Sequence, residues 1–230
     1  MGIYDKYVLV TDMDGTLVNS QGIISEENKA AIAEFTAEGG HFAVATGRTP
    51  ANSERFIKDL AISTSCIFYN GAMLYDWQKQ AVLATEALKG KIWRDFLENC
   101  LHKFPTACLE IYTPEKCYVV SDPANDDPNL EEEHYIYEHV AVEQVKDETW
   151  LKFFVCDEPE VLKQVELEAE AFGVAEIHQS LHDTLPVLLQ YLRPPADTQG
   201  AAKESRHCKP VRQSPHGSRQ CSVIEKTVGK

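Results

Sequence analysis

No stretch of this chain is apolar over the roughly 20 residues that a membrane-spanning helix needs, and no sequence repeats internally. Residues 1–6 hold neither a basic stretch nor an apolar core, so no signal peptide is expected. Cysteine occurs seven times, an odd count without short regular spacings. That argues against a disulfide framework and for a reducing, cytoplasmic setting. Basic residues are scarce: 22 Lys and Arg stand against 36 Asp and Glu, a net charge of −14. An acidic surface repels nucleic acid and anionic membranes, so neither is expected as a partner. What remains is a chain of 230 residues, 43% of them hydrophobic, enough for one larger domain or two small ones with real cores.

The C-terminal stretch lacks different things. After Tyr191 there is no aromatic residue, large aliphatics thin out, and Pro194, Pro195, Pro210 and Pro215 interrupt any periodicity. The charge also reverses. Residues 1–190 hold 14 Lys/Arg and 33 Asp/Glu, whereas residues 191–230 hold 8 and 3.

The most informative residues present are Asp12-Met13-Asp14-Gly15-Thr16-Leu17. The apolar run Tyr7-Val8-Leu9-Val10 leads into them and reads as a central strand buried on both faces. In open α/β sheets ligands bind at the carboxyl ends of such strands. Two carboxylates placed there repel each other unless a cation or a shared proton intervenes. Mg2+ takes carboxylate oxygens and keeps several waters, which makes it the natural partner. Gly15 lets the backbone turn back and offer N–H groups to an anion. The same residues also suit an ordinary acidic turn.

Further along, Ser25 caps a helix to about Glu38, with Ala31, Ile32 and Phe35 on one face, and Gly39-Gly40 ends it. A strand runs to Thr46. Thr49 caps and Pro50 opens a helix to about Leu60, and Ile67–Tyr69 is the next strand. Strand, helix, strand, helix, strand predicts a parallel sheet with right-handed crossovers. Met73–Leu83 reads as a hairpin leaving that sheet. Helices over 89–103 and 160–171, a hairpin over 108–120 and strands at 150–155 and 174–178 then form an α+β unit.

The acidic segment resembles the first motif of the haloacid dehalogenase-like phosphohydrolases. Ala45-Thr46-Gly47-Arg48 resembles the second motif as written in the Cof-type (IIB) branch, which carries a large cap inserted after it. Asn70-Gly71-Ala72, after the third strand, is similar to a further motif of that branch. The resemblance implies a Rossmann-like α/β core (residues 1–84), an α+β cap (85–184) that closes over the site, and a return to the core. It implies a Mg2+-dependent phosphatase of a small, sugar-phosphate-like metabolite, acting as a monomer or weak homodimer. Asp12 is then the nucleophile that forms an aspartyl-phosphate, and Asp14 the general acid and base. Mg2+ would be held by the Asp12 carboxylate and the Asp14 carbonyl. Thr46 would hydrogen-bond a phosphoryl oxygen with help from the Gly47 N–H. Arg48 is a substrate anchor or an ion pair on the sheet rim; Asn70 touches substrate or only turns the chain. A phosphomutase remains an enzymatic alternative.

The family also requires a lysine and an acidic pair after the cap, in a Gly-Asp setting. Neither is found: Lys203 and Lys209 lack a preceding strand, Asp197 is the only aspartate after Asp183, and no Gly-Asp follows. Residues 185–230 therefore read as an aberrant, disordered basic tail on an incomplete core. One base out of frame, the codons of Gln199-Gly200 must read Lys or Arg and the next can read Gly, which resembles the missing lysine motif. The tail is a frameshift or a natural disordered extension. With these parts missing, the chain is expected to be an impaired phosphatase, with a catalytically dead remnant or a phosphometabolite-binding module as the alternative.

Overall fold

The computed structural model describes residues 2–174 and the strands Ile177–Gln179, Val187–Leu189 and Cys221–Glu225. The chain forms two compact units. One is built on residues 2–83 with the strand Cys221–Glu225; the other begins at Ala84 and includes Val187–Leu189. Among the described residues no helix is long and apolar enough to cross a membrane.

The first unit is a Rossmann-like α/β sheet. In chain order it holds β1 (Tyr7–Asp12), α1 (Glu26–Ala37), β2 (His41–Ala45), α2 (Pro50–Ile57), β3 (Cys66–Phe68), β4 (Met73–Asp76) and β5 (Ala81–Thr85). β1, β2 and β3 lie side by side in parallel, with β4 and β5 following on one edge. Cys221–Glu225 pairs antiparallel with β1 on the other. Both helices start where capping chemistry places them. Ser25 Oγ accepts the Asn28 N–H at 3.2 Å, and Thr49 Oγ1 accepts the Asn52 N–H at 2.9 Å. Pro50 opens α2, where a missing N–H costs no helical hydrogen bond.

Three expectations are corrected here. The hairpin of β4 and β5 does not leave the sheet; its strands continue it, because β4 pairs antiparallel with β3 from Cys66–Tyr75 to Phe68–Met73. β1 is interior to the sheet but only part-buried along Val8–Val10. One side of it contributes to an apolar groove of about 370 Å³ lined by Ile3, Tyr4, Tyr7, Val8, Leu9 and Phe35. A run of apolar residues specifies a strand that can be covered on both faces, not that cover is present. On α1 only Ile32 is buried; Ala31 is exposed.

The second unit is α+β. Its elements are α3 (Lys91–Lys103), β6 (Cys108–Tyr112), β7 (Cys117–Val119), α4 (Pro128–Glu132), β8 (Tyr137–His139), α5 (Val142–Val145), β9 (Lys152–Cys156), α6 (Pro159–Phe172), β10 (Ile177–Gln179) and β11 (Val187–Leu189). The sheet order is β10-β11-β9-β6-β7-β8. Alternation along β6 and β9 sends Leu109, Ile111, Phe153 and Val155 to one face, where they pack with Trp93, Phe96 and Leu97 of α3 and Leu162 and Val165 of α6. Phe96 meets Phe153 edge to face, centroids 5.9 Å apart. Gly173, at φ 72°, ends α6 in the left-handed conformation that glycine adopts without penalty. Of residues 185–230, expected as a disordered tail, Val187–Leu189 and Cys221–Glu225 are described, each as a strand; the rest lies outside the described residues.

Candidate active site

The parallel register sets Asp12 of β1 beside Ala45 of β2, and Ala45 beside Ile67 of β3. The carboxyl ends of the three strands are therefore level, and the residues just beyond them share one edge of the sheet. Asp12 and Asp14 follow β1, Thr46, Gly47 and Arg48 follow β2, and Asn70 follows β3. Main-chain bonds tie the last two loops together: the Thr46 N–H donates to Ile67 O at 3.0 Å and the Asn70 N–H to Thr46 O at 3.1 Å.

The shape of the loop after β1 is set by local contacts. Met13, Leu17 and Val18 are buried, and the Met13 carbonyl accepts the N–H groups of Thr16, Leu17 and Val18 at 3.3, 3.0 and 2.8 Å. Gly15 takes φ 69°, a left-handed turn that favours glycine. Its own N–H donates to Val18 O at 3.0 Å, so the turn closes on itself there.

Asp12 and Asp14 differ in their surroundings. Burial pushes the Asp12 carboxyl above its ordinary range, and the charge of Asp14 adds to the rise; a bond from the Met13 backbone and the Thr16 hydroxyl, 3.5 Å from Asp12 Oδ2, oppose it. Among the described residues no lysine or arginine pairs with Asp12. Asp14 is gripped from both sides by Arg48: Nε donates to Oδ2 and Nη2 to Oδ1, each at 2.9 Å. Arg48 thus makes the ion pair that was one of its two alternatives. Among the described residues no cluster of three or more His, Cys, Asp or Glu side chains is arranged to hold a metal. Lys203, Lys209 and Asp197 lie outside the described residues.

Thr46 is 4% exposed and its Oγ1 accepts the Arg48 N–H at 3.2 Å, which leaves the hydroxyl proton to donate elsewhere. Asn70 turns the chain: it sits at φ 54°, ψ 34°, after Tyr69 at φ 52° and before Gly71 at φ 105°. Asparagine tolerates that region better than most residues. Its side chain lies against Gly47, where a Cβ would come within 2.2 Å of Asn70 Oδ1. Gly47 is glycine because Asn70 occupies the space.

The profile of haloacid dehalogenase-like hydrolases matches residues 9–188. The chain belongs to that family. The haloacid dehalogenase-like match ends at the residues where composition changes and charge reverses. Among curated relatives, 5-amino-6-(5-phospho-D-ribitylamino)uracil phosphatase YcsE of Bacillus subtilis is 36% identical over 72 residues, 31% of this chain and 29% of that protein. The chain thus spans less than a third of that relative. Two solved structures share the fold. A Thermotoga maritima protein superposes with TM-score 0.65 at 23% identity, covering 81% of this chain and 69% of its own. A sugar phosphatase of HAD subclass IIB does so with TM-score 0.65 at 19% identity, covering 79% and 69%.

Two residues of this haloacid dehalogenase-like site escaped the sequence reading. Asn52 Oδ1 accepts from Arg48 Nη1, and the Arg48 guanidinium lies 5.1 Å from the Phe56 ring centre. Their signal was spacing: Arg48, Asn52 and Phe56 recur every four residues, which puts the last two on one face of α2.

Proposed function

We propose that this chain is a phosphohydrolase of small phosphorylated metabolites, of sugar-phosphate type, built on aspartyl-phosphate chemistry and weak in turnover. The supporting observation is the pair at the end of β1: an Asp12 exposed at the strand end, its carboxyl raised above the ordinary range and without a cationic partner among the described residues, beside an Asp14 whose carboxylate is held in place. A carboxylate oxygen of Asp12 bonds to phosphorus as the ester P–O bond breaks, and Asp14 gives its proton to the leaving alkoxide. Asp14 then takes a proton from water, whose oxygen attacks the phosphorus; inorganic phosphate leaves and the Asp12 carboxylate is restored. The Thr46 hydroxyl donates to a phosphoryl oxygen, where charge grows during transfer. Relatives named for a ribityl phosphate and a sugar phosphate suit a polyol or sugar as the leaving group.

The donor set fits Mg2+ in part. Asp12 brings a hard carboxylate oxygen whose ionised form is disfavoured by its surroundings, and Asp14 a main-chain carbonyl. Bound there, the ion would shield Asp12 from the anionic phosphate. No third acidic ligand stands with them among the described residues, and beyond residue 184 the only aspartate is Asp197. Weak Mg2+ affinity and slow turnover follow.

The test is hydrolysis of p-nitrophenyl phosphate and a panel of sugar phosphates by the purified chain, with and without Mg2+. Slow, Mg2+-stimulated release of phosphate that Asp12→Asn abolishes is expected. Hydrolysis that survives Asp12→Asn overturns the nucleophile assignment, and vigorous hydrolysis lost in that variant overturns the impairment. A phosphometabolite-binding module is the second reading, favoured because the hydroxyl and amide groups at the strand ends are formed while Asp12 lacks a described cation; saturable sugar-phosphate binding without any turnover identifies it.

A further inference from the structure

Arg48 is held on every side of its guanidinium that the structure describes. Nε and Nη2 take the two oxygens of Asp14, Nη1 donates to Asn52 Oδ1, and the plane lies over the Phe56 ring, which Arg55 also stacks against with its guanidinium 4.5 Å from the centre. The two ends of the ion pair differ in exposure. The Arg48 side chain is 11% exposed and that of Asp14 46%. An exposed ion pair gains little beyond the conformational freedom an arginine gives up to form it. Asp14 sits on a solvent-facing turn, so by that balance its carboxylate would rotate and the pair would come and go.

The difference lies in α2. Asn52 is 5% exposed and sits in the first turn of the helix; its own N–H is fixed by the Thr49 cap at 2.9 Å. Phe56 follows one turn later on the same face. Both positions are therefore set by the helix before Arg48 meets Asp14, and they remove most of the freedom the arginine would otherwise lose. The fork then fixes the plane of the Asp14 carboxylate and uses one lone pair on each oxygen, leaving others to take and give a proton.

The geometry points to Asn52 and Phe56 as positioning residues that act through Arg48 to hold the Asp14 carboxylate in one orientation. That this orientation serves proton transfer rests on the phosphatase reading; the holding itself does not. Arg48 on this account is committed to Asp14 and is not the group that grips the body of the substrate.

The measurement is hydrogen exchange at the Arg48 side-chain Nε–H, followed by NMR in the full chain and assigned by its loss in Arg48→Met. In the wild type this proton exchanges slowly. Asn52→Leu, which keeps the branched shape and removes the acceptor, speeds exchange roughly tenfold, the factor one lost charge-assisted hydrogen bond carries. Asn52→Asp, which keeps an acceptor oxygen, restores protection, an outcome that loss of packing alone does not produce. Should Asn52→Leu fail to fold, Phe56→Leu, which removes the ring under the guanidinium and keeps an apolar side chain, provides the second arm and also accelerates exchange. Unchanged exchange in Asn52→Leu, or in Phe56→Leu, overturns the inference. Turnover is not read, so a chain without phosphatase activity still decides it; conversely, activity abolished by Asp12→Asn upholds the phosphatase reading whatever Arg48 does.

Discussion

Glu110 gives the second unit a built-in sensitivity to alkali. Its side chain is completely buried on β6, on the face away from Phe153 and Leu109. The Tyr112 hydroxyl donates to Oε2 at 2.5 Å, and the thiols of Cys108 and Cys117 lie 3.7 and 3.9 Å from Oε1 and Oε2. Burial pushes the carboxyl from its ordinary 4.5 up to about 7; the charge of Asp127 adds to the rise, while the Tyr112 hydroxyl and Lys152 oppose it. The sign follows from which state loses its proton first. Between pH 4.5 and about 7 the unfolded chain ionises Glu110 while the folded chain retains the proton, so stability falls as pH rises through that window. Above it the cost is complete, roughly 3 kcal/mol at 1.36 kcal/mol per pKa unit. Glu110→Gln removes the ionisation and keeps an acceptor for Tyr112, at a loss of about 1 kcal/mol for a weaker hydrogen bond. The net gain at pH 8 is about 2 kcal/mol, a rise in melting temperature of roughly 10 °C for a unit of about this size. At pH 5 the advantage shrinks to nothing or reverses. Thermal melts of wild type and variant from pH 5 to 8, taken as the difference at each pH, isolate Glu110 from the other carboxylates. A difference that does not grow with pH refutes the reasoning.

Gly47→Ala places a Cβ within 2.2 Å of Asn70 Oδ1 and swings that amide aside; the melting temperature moves little, since the displaced group is the end of a side chain, while on the proposed function sugar-phosphate affinity, measured by calorimetry, falls. Phe96→Ala removes a fully buried ring that packs on Phe153 and Phe172; denaturant titration shows a loss of about 3–5 kcal/mol in the second unit.

The strands, the caps of α1 and α2, and the shared edge of the site were legible because each depends on local chemistry: a hydroxyl before a helix, a proline at its first position, apolar runs that end on polar residues. What was not legible depends on distant partners. The hairpin of β4 and β5 has the same local pattern whether it leaves the sheet or extends it, and only its pairing with β3 decides. β8 is three residues with no apolar alternation of its own, and it exists by lying parallel to β7. The turn at Gly15 was legible from the glycine itself, whereas the partner of its N–H is set by Val18 reaching back. Glu110 gave no sequence signal at all, since a glutamate inside an apolar strand looks like its solvent side.

The site's electrostatics are lopsided, and that asymmetry frames its two readings. Arg48 neutralises Asp14, while no described cation serves Asp12, the acid whose charged form burial already disfavours. A phosphate monoester arriving at Asp12 adds negative charge to that deficit. Two like charges at 4 Å in a partly solvated site repel by about 4 kcal/mol. The Thr46 hydroxyl and a backbone N–H or two offset only part of this, at about 1.5–3 kcal/mol for each hydrogen bond to a charged group. On the function proposed above, phosphate binds either without a cation, as in a binding module, or together with one that arrives with it, as in a phosphatase. The same residues support both, and what separates them is whether positive charge reaches the end of β1.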